Sequence, residues 1–231
     1  MDISTIIKNL HPLEIKVLLN YSSSDKLTSE KLQKELGYKE GHANQAFSWL
    51  GGKELVKVEE RIPHTFYEIT DFGCNLSKNG TIEERTVDFL KKNGAKSLPE
   101  IAAGLGIENK DIGSAFGQLS KEGILKMNAE KQAEYTGKEL PARIQIASSL
   151  LKKAESAESK QLDSKNLSKD ELAVMGTLAK KRGAADSPFK IVERETVIYS
   201  LCGNYAEVVE SLKKSGITGN EIGELTPKML E

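Results

Sequence analysis

The sequence predicts an α+β fold that is mainly helical, in which three helices and a β-hairpin form a module that is repeated along the chain. Three observations support this prediction. Apolar residues recur at helical spacing through most of the 231 residues, runs rich in β-branched and aromatic residues follow the helices, and residues 29–58 resemble residues 98–127. The two segments align at a constant offset of 69 residues, which indicates two copies of one structural unit.

Each copy contains three predicted helices. The first is amphipathic, and the second ends at Gly37 in one copy and at Gly106 in the other, where glycine suits a left-handed C-cap. The third helix has one apolar stripe, and Phe47 of the first copy aligns with Phe116 of the second. We therefore expect Phe47 and Phe116 to occupy equivalent positions in two cores.

A β-hairpin is predicted after the third helix of each copy. In the first copy, residues 55–61 and 65–70 are predicted as two strands, and in the second copy residues 124–127 and 133–136 form a tighter hairpin. Three helices followed by a β-hairpin is the winged-helix arrangement, a variant of the helix-turn-helix. Winged helices bind DNA, RNA or protein, so the fold by itself does not establish the function.

The second half of the chain contains further predicted elements. An amphipathic helix begins near Lys138, and a polar, serine-rich connection follows it. Ser168 and Glu171 form a capping box that begins another helix, for which Gly183 is the predicted end. Its predicted buried stripe consists of Leu172, Met175, Leu178 and Ala179. A tight hairpin around Glu195 is predicted over residues 189–201, and a helix over residues 204–216.

These elements predict a division of the chain into five segments. Two winged-helix modules occupy residues 1–79 and 80–137, a helix and polar linker occupies 138–167, and a third, winged-helix-like module occupies 168–216. In the last segment, residues 217–231, Thr226 and Pro227 are typical of a helix start. A helix start at this position leaves two interpretations open, a frayed tail or a piece of a longer protein.

The composition limits the possible functions. The net charge is −1, and no apolar run approaches the roughly 20 residues that span a bilayer, so we expect a cytoplasmic protein that does not enter a membrane. The sequence lacks C-x-x-C and H-E-x-x-H spacing, a phosphate-binding glycine-rich loop and a G-x-S-x-G motif. We therefore assign no catalytic and no metal-binding residues.

One basic cluster is the main candidate for phosphate contacts. It combines three consecutive cations at a predicted helix end with two in the following hairpin, namely Lys180, Lys181, Arg182, Lys190 and Arg194. The alternative is that the run of three is a solvated helix end, because cations there also stabilise the helix macrodipole.

The third helix of the first module carries the secondary candidates. It presents His42, Asn44, Gln45 and Trp49, side chains that can bond or stack on bases. The same helix carries Glu40 and no arginine, which is unfavourable for reading duplex DNA. A protein-packing face, with Trp49 covering the edge of a small core, is the alternative interpretation.

The order of these parts resembles a known family. Residues 178–183 (LAKKRG), 190–201 (KIVERETVIYSL) and 221–230 (EIGELTPKML) are similar to the N-terminal region of the phenylalanyl-tRNA synthetase alpha subunit of the archaeal and eukaryotic cytosolic type. The most specific part is ELTPKML, because a similar Glu-Leu-(Thr/Ser)-Pro-x-Met segment leads into the class II catalytic domain in that family. The resemblance covers essentially the whole chain.

The resemblance implies that the chain is a tRNA-binding part of an enzyme that attaches phenylalanine to tRNA(Phe). It also implies that ATP and Mg²⁺ bind in the parent's catalytic domain, and that the parent forms a heterotetramer with a beta subunit. No catalytic position can be carried over to this chain. Two other functions remain open, a free-standing winged-helix transcription regulator that binds duplex DNA and a protein-interaction scaffold.

Overall fold

The structure is a computed structural model that describes residues 2–180 and 187–220. The helices are α1 (Ile3–Lys8), α2 (Pro12–Asn20), α3 (Ser29–Leu36), α4 (Glu40–Gly52), α5 (Asp71–Asn79), α6 (Ile82–Asn93), α7 (Leu98–Leu105), α8 (Asn109–Lys121), α9 (Ala142–Ser156), α10 (Lys169–Leu178) and α11 (Tyr205–Ser215). The strands are β1 (Val56–Ile69), β2 (Leu125–Met127), β3 (Ala133–Tyr135), β4 (Gln161–Asp163), β5 (Ala179–Lys180) and β6 (Phe189–Leu201).

The chain divides into two compact units. Unit 1 comprises Met1–Pro63 and Glu195–Glu231, and unit 2 comprises His64–Arg194. The fold is therefore α+β, as predicted, with one sheet in the order β4-β1-β6-β5 and a second formed by β2 and β3. The five-segment division predicted from the sequence remains a prediction.

The repeat is visible in the helix boundaries. Helices α3 and α7, and likewise α4 and α8, begin and end at positions that differ by the offset of 69 residues. Gly37 and Gly106 follow α3 and α7 with φ values of 68° and 64°, which confirms the predicted left-handed C-caps. Each copy thus folds into the three helices that its apolar pattern predicts.

The two phenylalanines of the repeat differ in their packing. Phe47 is 2% exposed in the core of unit 1, where its ring stacks on that of Tyr199 with centroids 4.1 Å apart. Phe116 is only half-buried at the edge of the core formed by α6, α7 and α8 in unit 2. The expectation of two equivalent core positions is therefore wrong in burial, although the two residues occupy the same position on their helices.

Two of the three predicted hairpins are wrong. Residues 56–69 form the single strand β1, and residues 189–201 form the single strand β6. A hairpin turn of two or three residues needs at least one residue with positive φ, and neither segment contains a glycine or asparagine that adopts this conformation readily. The predicted hairpin at residues 124–136 is confirmed: β2 and β3 are antiparallel, and Lys131 in their turn has a φ of 58°.

Strands β1 and β6 pair with each other. In unit 1, Ser200 Oγ donates to Glu59 Oε1 at 2.6 Å, and Arg61 Nη1 lies 2.8 Å from Glu195 Oε2. The residue number increases from Glu59 to Arg61 along β1, while the number of the partner decreases from Ser200 to Glu195 along β6. The two strands are therefore antiparallel. The first copy was expected to contain both strands of its hairpin. The partner of β1 is instead β6, which lies far away in the sequence.

A backbone bridge at the same position of the repeat holds one strand in each unit, β6 in unit 1 and β3 in unit 2. Leu27 forms an isolated antiparallel bridge with Tyr199 of β6, and Lys96, at the equivalent position of the repeat, bridges Ala133 of β3. The core of unit 1 consequently contains Leu201, Val208 and Leu212 from the C-terminal segment. The predicted helix at residues 204–216 is confirmed as α11, which ends before Gly216 in a left-handed C-cap.

Helix α10 begins with the predicted capping box and ends earlier than predicted. Ser168 and Glu171 make both bonds of the box, but the helix stops at Leu178, and Lys180 lies in β5. The backbone carbonyl of Leu178 accepts a hydrogen bond from Ser187 Oγ at 2.8 Å, which satisfies a group that a helix end leaves unpaired. Lys180 is therefore not a helix-end residue, and the predicted end at Gly183 lies outside the described residues.

Two further details of the second half differ from the prediction. Leu172 is 37% exposed, so it is not part of the buried stripe, whereas Met175 is fully buried. The serine-rich connection contains β4, which pairs with β1 through Phe66 and Asp163. A polar strand at a sheet edge lacks the apolar alternation by which strands are predicted.

Among the described residues, no helix is both long and apolar enough to cross a membrane.

Candidate nucleic-acid interface

The sheet of unit 2 has one face against a core and one face directed away from it. Tyr67 and Ile69 of β1 pack with the buried Phe189 of β6 in the core formed with α5, α9 and α10. Successive side chains of a strand point to opposite faces, so His64, Phe66 and Glu68 lie on the other side. We call this outer surface of the sheet in unit 2 the sheet face.

Strand pairing adds residues from β4 and β6 to the sheet face. Phe66 is opposite Asp163 and Glu68 is opposite Gln161 in the β1–β4 ladder. Directly opposite residues share a face. On the β6 side, Lys190 Nζ lies 3.9 Å from Glu68 Oε1, and the Arg194 guanidinium carbon lies 5.1 Å from the centroid of the Phe66 ring. The structure thus brings the two predicted residues Lys190 and Arg194 to the same face, and both are exposed.

Lys165 adds a third cation beside the sheet face. It belongs to a single 3₁₀ turn after β4, Ser164–Asn166, which Asp163 caps by accepting the Lys165 backbone N–H at 2.9 Å. The Lys165 Nζ lies 3.3 Å from His64 Nδ1, and the His64 ring is 6.4 Å from the ring of Phe66. Cations and aromatic rings are therefore interleaved on this face.

The carboxylates of the sheet face are engaged in its own contacts. Glu68 Oε2 accepts a hydrogen bond from Gln161 Nε2 at 2.7 Å, while its Oε1 faces Lys190. Asp163 caps the turn that holds Lys165. Among the described residues, the Arg194 guanidinium contacts an aromatic ring rather than a carboxylate, so its charge is available to an anionic partner.

The remaining residues of the predicted basic cluster are only partly described. The backbone of Lys180 is in parallel register with Lys190, which places the two residues on neighbouring strands. Lys181 and Arg182 lie outside the described residues.

Sequence reasoning missed His64, Phe66 and Lys165. The alternation of His64, Phe66 and Glu68 with Tyr67 and Ile69 was present in the sequence. The expected hairpin, however, divided into two strands a segment that forms the single strand β1. The contribution of Lys165 depends on strand β4, which carried no apolar signal.

The secondary candidates lie on α4 in unit 1. His42, Asn44 and Gln45 are exposed, as predicted. Trp49 is half-buried, with its ring centroid 4.7 Å from that of His11, the N-cap residue of α2. Trp49 is not among the residues that form or pack against the core of unit 1, so the contact with His11 does not establish that Trp49 covers a core edge.

The surface beside α4 is acidic. Asn44 lines a cleft of about 260 Å³ between α3, α4 and β6, and this cleft is also lined by Glu30, Glu40 and Glu195. Arg61 pairs with Glu195, so the negative charge that repels phosphate at this cleft comes from Glu30 and Glu40. Within the described residues, the sheet face is consequently a better candidate than α4 for contacting nucleic acid.

Comparison with known proteins shows which proteins the chain is similar to. No protein-family model matches the chain. A protein of Treponema pallidum (strain Nichols) is 38% identical over 261 residues, an alignment that covers 100% of this chain and 47% of the relative. Its name is phenylalanine–tRNA ligase alpha subunit. The chain is similar to that subunit.

Subunits of the same name from other organisms also match. The Borreliella burgdorferi subunit is 34% identical over 98% of this chain and 42% of its own length. The Methanopyrus kandleri subunit is 28% identical over 56% of this chain and 25% of its own length. The matched part is the N-terminal region of the phenylalanine–tRNA ligase alpha subunit, and the chain spans about half the length of the first two of these relatives.

Proposed function

We propose that the chain is the tRNA-binding N-terminal part of a phenylalanine–tRNA ligase alpha subunit, and that it supports the ATP-dependent attachment of phenylalanine to tRNA(Phe). The observation that carries this proposal is the 38% identity to the Treponema pallidum subunit over the full length of the chain. The match to the Methanopyrus kandleri subunit supports the finer assignment to the archaeal and eukaryotic cytosolic type.

In this proposal the repeated elements are winged-helix modules. Helices α2 to α4 with β1, and helices α6 to α8 with the β2–β3 hairpin, have the helix order of that fold. The first module would differ from the usual form because its second wing strand is β6. The five-segment division, with a third module at residues 168–216, is part of the same proposal.

The sheet face is the proposed place of contact with tRNA. Lys190 and Arg194, with Lys180, Lys181 and Arg182, would neutralise phosphates of the folded RNA, in its elbow rather than its acceptor end. Double-stranded RNA has a deep, narrow major groove that side chains cannot read, so such contacts recognise shape and backbone rather than base sequence. The sheet would fix the spacing of Lys190 and Arg194 along the RNA.

The proposal assigns catalysis to a part of the parent protein outside this chain. ATP and Mg²⁺ would bind there, and the parent would form a cytoplasmic heterotetramer with a beta subunit. The described residues contain no group of three or more histidine, cysteine, aspartate or glutamate residues that could hold a metal ion. We therefore propose no cofactor site within them.

A salt titration of tRNA binding tests the proposed contact. Each phosphate that a cation neutralises contributes about 0.7–0.9 to the slope of log affinity against log salt. Changing Lys180, Lys181, Arg182, Lys190 and Arg194 together to Ala should weaken tRNA binding and reduce this slope by roughly 3.5–4.5, with little effect on the melting temperature.

A smaller pair of variants gives a matched control. Lys190→Ala with Arg194→Ala removes two charges from the sheet face, and Lys92→Ala with Lys121→Ala removes two charges from exposed positions on α6 and α8. The first pair should lower the slope by about 1.5 and the second should leave it unchanged. Equal slopes for both pairs would show that the cluster is only a solvated surface. A duplex DNA competitor as effective as tRNA would favour the transcription-regulator alternative.

A further inference from the structure

Phe66 has no role in the cores of the described residues. Its half-buried ring lies on the sheet face, and it is not among the residues that form or pack against the three apolar clusters. Phosphate contacts alone need cations and give no reason for an aromatic ring at the centre of a basic face. The ring therefore requires a separate explanation.

The partner of the Phe66 ring is a planar cation. The guanidinium of Arg194 lies over the ring at 5.1 Å from its centroid, and Arg194 is itself exposed. Aromatic rings and guanidinium planes are the two protein surfaces on which unstacked RNA bases are commonly placed. An aromatic ring and a guanidinium in contact offer a flat, positively charged surface to a third planar group.

We propose that Phe66 and Arg194 form a stacking platform for one unpaired nucleotide of the bound RNA. This inference rests on the proposed function, because the ligand is RNA. The base stacks on the platform, while Lys165 and Lys190 on either side neutralise the neighbouring phosphates. Every base has a flat π-face, so the platform distinguishes unpaired from paired nucleotides and does not read their sequence.

Substitutions that keep charge and bulk separate stacking from phosphate binding. Arg194→Lys keeps the charge and removes the plane, and Phe66→Leu keeps an apolar side chain on the sheet and removes the ring. Arg61→Lys is the matched control, because Arg61 is an exposed arginine of β1 whose described partner is the Glu195 carboxylate. All variants are made in the 231-residue chain, and their melting temperatures are compared with that of the parent.

Three RNA probes complete the experiment: a folded tRNA transcript, a single-stranded oligoribonucleotide, and a blunt RNA duplex with the same number of phosphates. Phe66→Leu and Arg194→Lys should weaken binding of the single strand by roughly 5- to 150-fold, which is the range for loss of one stacked base. Both should leave the duplex within about two-fold, because its bases are already stacked. Arg61→Lys should change neither the binding of the single strand nor the binding of the duplex.

The outcomes distinguish the platform from the proposed function. If the parent binds tRNA and both variants bind all three probes as the parent does, the platform is overturned and the proposed function stands. If the parent binds no tRNA, the proposed function fails and the platform fails with it. If Phe66→Leu loses stability, Arg194→Lys still tests the platform. Unchanged binding of the single strand by Arg194→Lys contradicts the platform by itself.

Discussion

At the scale of single residues, the two phenylalanines of the repeat should differ in their contribution to stability. Phe47→Ala removes a ring that is 2% exposed and stacked on Tyr199, so we expect a loss of about 3–5 kcal/mol in the free energy of unfolding. Phe116→Ala removes a half-buried ring, and we expect about half that loss. Denaturant unfolding of the two variants measures both values.

The comparison has an internal check, since the same substitution is made at the same position of the repeat. Equal losses for the two variants would contradict the difference in burial. A loss below about 1 kcal/mol at Phe47 would contradict its place in the core of unit 1.

The sequence predicted which residues face a core but not how deeply each is buried. The position of Phe116 on an apolar stripe was correct, yet its burial depends on the elements that pack over it, which the stripe does not specify. The case of Phe66 is similar. Its alternation with Tyr67 was visible, but only the pairing of β1 with β4 and β6 shows which face carries Arg194 and Lys165.

At the scale of elements, the start of α10 should respond to acid. The hydrogen bond from Lys153 Nζ, at 2.6 Å, and the bond from the Ser168 backbone N–H lower the pKa of Glu171 below its ordinary value of 4.5. The unfolded chain therefore takes up this proton more readily than the folded chain. The stabilisation by Glu171 is present above about pH 4.5 and is lost as the pH falls through the lowered pKa.

Glu171→Gln should accordingly lower the melting temperature at pH 7 and have a much smaller effect near pH 3. Glu139→Gln is the control, because Glu139 is exposed and outside any helix. Melting curves of the parent and both variants across this range measure the effect. A deficit for Glu171→Gln that is the same at both pH values would contradict an origin in the charge of the carboxylate.

Helices were predicted more successfully than strands, for a physical reason. The bounds of α3, α4, α7 and α8 follow from local apolar spacing and from the caps at Gly37 and Gly106, all of which are contained in short stretches of sequence. The pairing of β1 with β6 is a contact between distant segments, and the residues around Pro63 and Glu195 contain no local signal for it. Local sequence rules therefore predicted that β1 and β6 would each fold into a hairpin of two shorter strands.

At the scale of the whole molecule, the proposed function predicts what this chain alone does not do. We expect no phenylalanine-dependent exchange of pyrophosphate into ATP by the 231-residue chain, because the proposal assigns catalysis to the part of the relatives that it does not cover. The measurement is the exchange assay on a purified chain, with a full-length relative as positive control. Activity above background would mean that the chain contains an active site of its own.

Unit 1 is assembled from two segments that are separated by the whole of unit 2. A ribosome that adds about 5–20 residues per second needs on the order of ten seconds to pass from Pro63 to Glu195. During that interval the N-terminal helices lack Leu201, Val208 and Leu212 of their core, whereas unit 2 is continuous and is complete at the end of the interval. The nascent chain should therefore finish unit 2 before unit 1, reversing the usual N-to-C order of domain folding and leaving apolar faces of α2 and α4 open to chaperones.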